Sequence, residues 1–224
     1  MGKKFFEEIE LFLFDMDGLL FDTETIYVGY GREVAKKMGY TITKDIVEKT
    51  TGVTDDKARI LFKESLGQDF PYDEMMGKVK NHILELAKKS EVPLKSGALE
   101  LLEFLRENNK EMILATSSDL FMAEALINGK DLKKYFSHFV TAEDVVHGKP
   151  DPEVFLIGAK KAGVSPKKTA VFEDSFNGIR AAHAAGTFPI MVPDKLKPTE
   201  EIEKLVYKKF NSLVEVLDYF KGND

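Results

Sequence analysis

Cysteine is absent from this 224-residue chain, which rules out a disulfide framework, a thiolate nucleophile and a Cys-based zinc site. The absence fits a reducing compartment. Long hydrophobic runs are missing too, and none approaches the roughly 20 residues of a membrane span. Glu7, Glu8 and Glu10 interrupt the apolar residues behind Lys3 and Lys4, which argues against a signal peptide. Phe6 stands where a myristoylation signal beginning at Gly2 wants Ser or Thr. No surplus of positive charge exists. The net charge of −6 argues against general nucleic-acid binding. Repeats and low-complexity segments are also lacking. His82, His138, His147 and His183 have no metal-ligand spacing. The expectation is a soluble, cytoplasmic, monomeric protein whose partner is a small molecule, not nucleic acid or a membrane.

Short apolar runs recur at Leu11–Phe14, Met112–Ala115, Phe139–Val140, Ala170–Phe172 and Pro189–Val192. Helical patterns fill most gaps between them. Strands alternating with helices predict an α/β fold, a Rossmann-like parallel sheet with helices on both faces. Asp151-Pro152 predicts a cap followed by proline at the first helical position, and Gly163 ends that helix. Ser175 opens another helix, stopped by Gly186, and Ser212 opens a last one. Between Asp22 and Pro93 no strand is evident. Four helical patterns occupy that gap, opening at Asp22-Thr23, Thr43, Thr54 and after Pro71. The block is too long for an ordinary connection. It predicts a second unit at 23–93 inserted into an α/β core formed by 1–22 and 94–224. Hinges are expected near Asp22-Thr23 and Pro93–Ser96.

Parallel α/β sheets carry their sites beyond the carboxyl ends of the strands. Asp15 and Asp17 follow the first run, and Gly18 follows them. Residues i and i+2 of an extended chain point to one side, so the two carboxylates can act on one substrate. Thr116, Ser117 and Ser118 follow the second run, and Glu173 and Asp174 follow the fourth. Lys149 lies in the loop His147-Gly148-Lys149-Pro150. Each group also has an ordinary structural reading: Thr116–Ser118 as a helix cap, Asp55 and Asp56 as first-turn carboxylates. Together they form one constellation. Carboxylates with open positions suit Mg²⁺, while hydroxyls, backbone N–H groups and an ammonium suit phosphate oxygens.

Four segments closely resemble the motifs of the haloacid dehalogenase-like hydrolases, in family order. They are Asp15–Glu24, Leu114–Ser118, His147–Phe155 and Phe172–Ala182. The helical block resembles that family's first type of cap domain, and the branch resembles the β-phosphoglucomutase-like phosphatases. The resemblance implies a phosphomonoester hydrolase acting on a small phosphorylated metabolite. Asp15 would be the nucleophile that forms an aspartyl-phosphate, and Asp17 the general acid–base. Asp15, the backbone carbonyl of Asp17, Asp174 and Glu173 would hold Mg²⁺. Thr116, Ser117 and Lys149 would bind phosphate, and Gly18 would let the backbone come close. Thr23 and Glu24 lie at the hinge near the reacting carboxylates. Gly52 marks a candidate recognition loop, Thr50–Thr54. The mutases of that branch carry an arginine after a Gly-Val-Ser run, whereas this chain has Gly52-Val53-Thr54-Asp55. They also carry a histidine where this chain has Tyr27. An aspartate facing a phosphate repels it, which favours a phosphatase. Lys57 or Arg59 as a substitute cation keeps the mutase open. A receiver-like or non-catalytic phosphate-binding protein is the alternative of another class.

Overall fold

The structure, a computed structural model, describes residues 2–223. Six strands form one parallel sheet: β1 (Leu11–Phe14), β2 (Glu111–Ala115), β3 (His138–Val140), β4 (Thr169–Glu173), β5 (Phe188–Met191) and β6 (Lys208–Lys209). Their spatial order is β3-β2-β1-β4-β5-β6, which puts β1 in the middle and the reversal of strand order between β1 and β4. Phe14 lies in register with Leu114 on one side and Phe172 on the other. The expected strands are all present, each within about a residue of its run. The two-residue β6 has no apolar run to announce it.

The sheet sorts its side chains by parity, as a pleat must. Phe12, Phe14, Leu114 and Phe172 enter the larger core, while Leu11, Leu13, Ile113 and Val171 enter the opposite one. Both sides are covered, so the strands read as continuous apolar runs. On the larger side lie α1 (Gly2–Glu8), α6 (Ala98–Glu107), α7 (Leu120–Gly129) and α11 (Leu213–Lys221). On the other lies α8 (Glu153–Ala162), joined by the buried alanines of α9 (Phe176–Ala184). A short α10 (Glu200–Leu205) packs Ile202 against Ile179 and Met191. The caps follow simple chemistry. Ser175 Oγ accepts from the Gly178 amide, and Ser212 Oγ from that of Glu215. Two local expectations shift. Helix α7 is capped by Asp119, whose carboxylate accepts from the Met122 amide, so Thr116–Ser118 is not its cap. Pro152 holds the capping position of α8 in place of Asp151, so the helix begins at Glu153, one residue later than expected, and Asp151 accepts from the Glu153 amide.

The segment after β1 is helical throughout: α2 (Thr23–Lys37), α3 (Lys44–Thr50), α4 (Asp55–Leu66) and α5 (Tyr72–Lys88). Val34, Ile46, Phe62, Phe70 and Met75 build a cluster of its own. Helix α5 serves both sides. Its first half enters that cluster, while Val79, Ile83 and Ala87 belong to the main core. The two connections run side by side: the Asp22 amide donates to the Pro93 carbonyl at 2.9 Å and the Lys95 amide to the Leu20 carbonyl at 2.8 Å. No described helix is long and apolar enough to cross a membrane.

Phe12 sits under the sheet against Phe6, Phe172 and Phe220 and is fully buried. Phe12→Ala is expected to destabilise the fold by about 3–5 kcal/mol, read as a lower urea midpoint at an unchanged slope.

Candidate active site

Asp15 follows β1 directly, and its amide donates to the Phe172 carbonyl at 3.1 Å. Glu173 ends β4 beside it, fully buried, and Asp174 comes next. Lys149 arrives from the loop before α8. Its ammonium donates to Asp15 Oδ1 at 2.5 Å, Glu173 Oε1 at 2.6 Å and the Ala115 carbonyl at 3.0 Å. All of its N–H donors are therefore used. Burial pulls the Lys149 pKa down, but Asp15 and Glu173 outweigh it and hold the ammonium above the ordinary lysine range.

One ammonium is too little charge for the carboxylates gathered here. Burial raises Asp15 to about 7, and Glu173 and Asp17 add to the effect of burial while Lys149 opposes it. Asp174 is raised well above the carboxylate range by burial, then by Glu173, Asp15 and Glu24. Asp15, Glu173 and Asp174 each offer an oxygen, all within 4.8 Å of one another. Hard oxygen donors that are short of positive charge suit a divalent cation. Glu173 is the most committed of the three. Its second oxygen, Oε2, accepts from the Ser175 amide at 3.2 Å and the Ser175 hydroxyl at 2.9 Å. Asp174 accepts no hydrogen bond among the described residues.

Backbone shape makes this crowding possible. Gly18 has φ +79°, and a Cβ there would lie 2.4 Å from Asp174 Oδ2. At Gly178, in the first turn of α9, a Cβ would lie 1.9 Å from the Glu173 carboxyl carbon. Asp17 is held at both ends. Thr23 Oγ1 donates to its Oδ1 and Ser118 Oγ to its Oδ2, each at 2.7 Å. Thr116 is buried, and its Oγ1 accepts from the Ser118 amide at 3.1 Å.

These groups open on a cavity of about 660 Å³ between the sheet edge and the helical segment. Residues 12–192 match the family model of the haloacid dehalogenase-like hydrolases. The chain belongs to that family. This haloacid dehalogenase-like hydrolase is 35% identical over 182 residues to the phosphorylated carbohydrates phosphatase of Thermotoga maritima, covering 80% of this chain and 82% of that one. It is 30% identical over 206 residues to hexitol phosphatase B of Escherichia coli, covering 91% and 92%. Both relatives are named phosphatases, that is, phosphoric monoester hydrolases. Its fold is also that of a β-phosphoglucomutase from Clostridium difficile, with a TM-score of 0.73 at 24% identity over 96% of this chain and 98% of that one.

The structure of the hydrolase brings Asp15, Asp17, Glu24, Gly52, Thr116, Ser117, Lys149 and Asp174 to the cavity wall. Gly18, Thr23 and Glu173 lie behind that wall: Gly18 against Asp174, Thr23 on Asp17, Glu173 on Lys149. Gly52 has φ +73° and reaches the core through its carbonyl, which accepts from Asn177 Nδ2 at 3.3 Å. Sequence reasoning missed the Ser118 bond to Asp17, because a serine run does not reveal which hydroxyl turns inward. It also missed Asp194. That residue follows the fifth strand, so the strand-end rule reaches it. Its Oδ1 accepts from Lys95 at 2.7 Å, and it lies beside Glu24, which burial and the carboxylates of Asp17 and Asp194 raise to about 7.

A stability signature follows. The carboxyls of Asp15, Asp174 and Glu24 keep protons that the unfolded chain releases near pH 4. The folded state then binds more protons than the unfolded one between about pH 4 and about pH 7, so the contribution of these groups to stability falls as pH rises through that window. A cation that binds the carboxylates offsets the loss. Thermal melts are expected to show saturating Mg²⁺ raising Tm more at about pH 8 than at about pH 5. In Gly18→Ala, where the new methyl strikes Asp174, the Mg²⁺ increment should shrink.

Proposed function

We propose that this hydrolase cleaves a small phosphomonoester through an aspartyl-phosphate on Asp15. The observation that carries the reading is the buried Lys149 ammonium, bonded at once to Asp15, Glu173 and the Ala115 carbonyl. It keeps a positive charge beside a carboxylate of the cavity wall. In the first step an Asp15 oxygen attacks phosphorus, the P–O bond to the leaving group breaks, and Asp17 gives that oxygen its proton. In the second step water attacks the aspartyl-phosphate. Asp17 takes the water proton, inorganic phosphate leaves and the Asp15 carboxylate is restored. The grip of Thr23 and Ser118 on Asp17 supports this role, since each hydroxyl fixes one oxygen of the shuttle. Thr116, the Ser117 amide and Lys149 bind phosphate oxygens, with Gly18 shaping the turn and Glu173 orienting Lys149.

The cation that this all-oxygen set fits best is Mg²⁺, held by Asp15, Asp174 and the carbonyl of Asp17; when bound it supplies positive charge against the phosphate and the nucleophile. Residues 23–93 act as a cap over the core of 1–22 and 94–224, with the Thr50–Thr54 loop and Glu24 facing the organic part of the substrate. The setting is cytoplasmic and the enzyme works as a monomer.

Hydrolysis is favoured over mutase chemistry by the fate of Arg59. Its guanidinium pairs with Asp55 at 3.2 Å, Asp56 at 2.7 Å and Asp73 at 2.8 Å, which leaves little charge for a second phosphate. Lys57 is not among the residues of the cavity wall. Phosphorylated carbohydrates, after the names of the two relatives, form the reference panel against which other phosphomonoesters are ranked.

Release of p-nitrophenol from its phosphate ester is expected to require Mg²⁺. Asp15→Asn should lower kcat about 10⁴-fold or more, and Asp17→Asn by about 10²–10⁴-fold. An Asp15→Asn enzyme within tenfold of the parent would overturn the assignment. With β-glucose 1-phosphate, inorganic phosphate should appear and glucose 6-phosphate should not; efficient formation of the 6-phosphate would establish the mutase instead.

A further inference from the structure

The cavity does not end at the reacting carboxylates. It continues between α2, α4 and α5 into a recess lined by Val28, Gly31, Ala58, Phe62, Met75 and Met76. Gly31 is the informative residue. It is buried in the middle of α2, where glycine is the poorest helix former after proline. A buried helical glycine usually answers to close packing, and the others in this chain do. A Cβ would lie 2.0 Å from the Tyr219 carbonyl oxygen at Gly2, 3.0 Å from Leu13 at Gly158 and 1.9 Å from Glu173 at Gly178. At Gly31 a Cβ would meet only Val79 Cγ2, at 3.9 Å. The missing side chain therefore leaves open space inside the helical layer, where interiors are ordinarily close-packed.

Tyr27 of α2 and Lys80 of α5 line the same cavity, but the neighbouring loop brings few free polar groups to that space. The hydroxyls of Thr50 and Thr51 donate back to carbonyls of α3, and the Tyr72 hydroxyl donates to Asp55. We propose that the recess is a binding site for an apolar part of the leaving group, a hydrocarbon chain or flat ring attached to the phosphorylated oxygen. A substrate that is only a short polyol would leave it unfilled. The proposal rests on the reading of the site as a phosphomonoesterase, and it assigns the specificity of that site to Gly31 and its neighbours.

The test is a series of n-alkyl phosphates from ethyl to hexyl, with Mg²⁺. For the parent enzyme kcat/KM should rise roughly three- to fourfold per added methylene once the chain reaches the recess. In Gly31→Leu, which fills the space and improves helix propensity, the ratio of hexyl to ethyl should fall towards one. Ala58→Leu fills the same recess from α4 and serves if the first variant does not fold. Calorimetric binding of hexylphosphonate against methylphosphonate gives a reading that does not depend on turnover. If no ester is hydrolysed but hexylphosphonate still binds more tightly, the hydrolase reading fails and the recess stands. A flat alkyl series with equal phosphonate affinities, or a rising series that survives both filling variants, would overturn the proposal.

Discussion

The structure depends on how one buried ammonium is neutralised. Lys149 reaches the seam between β1 and β4 and there meets Asp15, Glu173 and a strand carbonyl. Removing either acidic partner would strand a charge in a medium that solvates it poorly, so the three side chains fix one another. Much nearby architecture serves this arrangement. Ser175 caps α9 and also occupies the second oxygen of Glu173, and Gly178 keeps the first turn of that helix clear of the same carboxyl. The parallel sheet supplies the rest, because register brings the ends of β1 and β4 level at Phe14 and Phe172.

A neutralised lysine still leaves a surplus of negative charge. Asp15 and Asp174 are raised for the same physical reason, burial beside other carboxylates. Such a site is unfavourable by itself and favourable around a cation, so the electrostatics that weaken the metal-free fold are those that would bind metal. Asp17 has other partners. It sits two residues on, just before the turn that opens at Gly18, in the grip of two hydroxyls. The environments of Asp15 and Asp17 thus differ sharply although the residues are nearly adjacent, and different surroundings allow two carboxylates to take different roles.

The helical insert obeys other constraints. It meets the core at the paired connections of Asp22 and Pro93, through the second half of α5, which is part of the main apolar core, and through the Gly52 carbonyl on Asn177. Across the cavity it presents the Gly52 loop and the recess around Gly31. In the proposed reading, chemistry and selectivity fall to separate layers. The sheet edge holds carboxylates and lysine at fixed spacing, and the helical segment lines the rest of the cavity.

The sequence by itself determined the α/β order, the five principal strands, most helix boundaries and most of the carboxylate, hydroxyl and lysine residues that gather at the cavity. These were legible because each depends on local rules: apolar runs, capping residues, and polar groups immediately after a strand. The tertiary structure alone decided what each polar group does. Thr116-Ser117-Ser118 reads as three equivalent hydroxylated residues, yet Thr116 turns to a backbone amide and Ser118 to Asp17. Glu173 and Asp174 read as a pair, yet one is consumed by Lys149 and Ser175 while the other accepts no hydrogen bond among the described residues. Arg59 reads as an available cation and is spent on three aspartates, one of them fourteen residues away on α5. Gly31 reads as a weak point in a helix and proves to border a cavity. The bonds of Thr116 to Ser118 and of Glu173 to Ser175 are local, but Ser118 to Asp17, Glu173 to Lys149, Arg59 to Asp73 and the space beside Gly31 depend on distant parts of the chain or on how helices pack, and neither leaves a local signal.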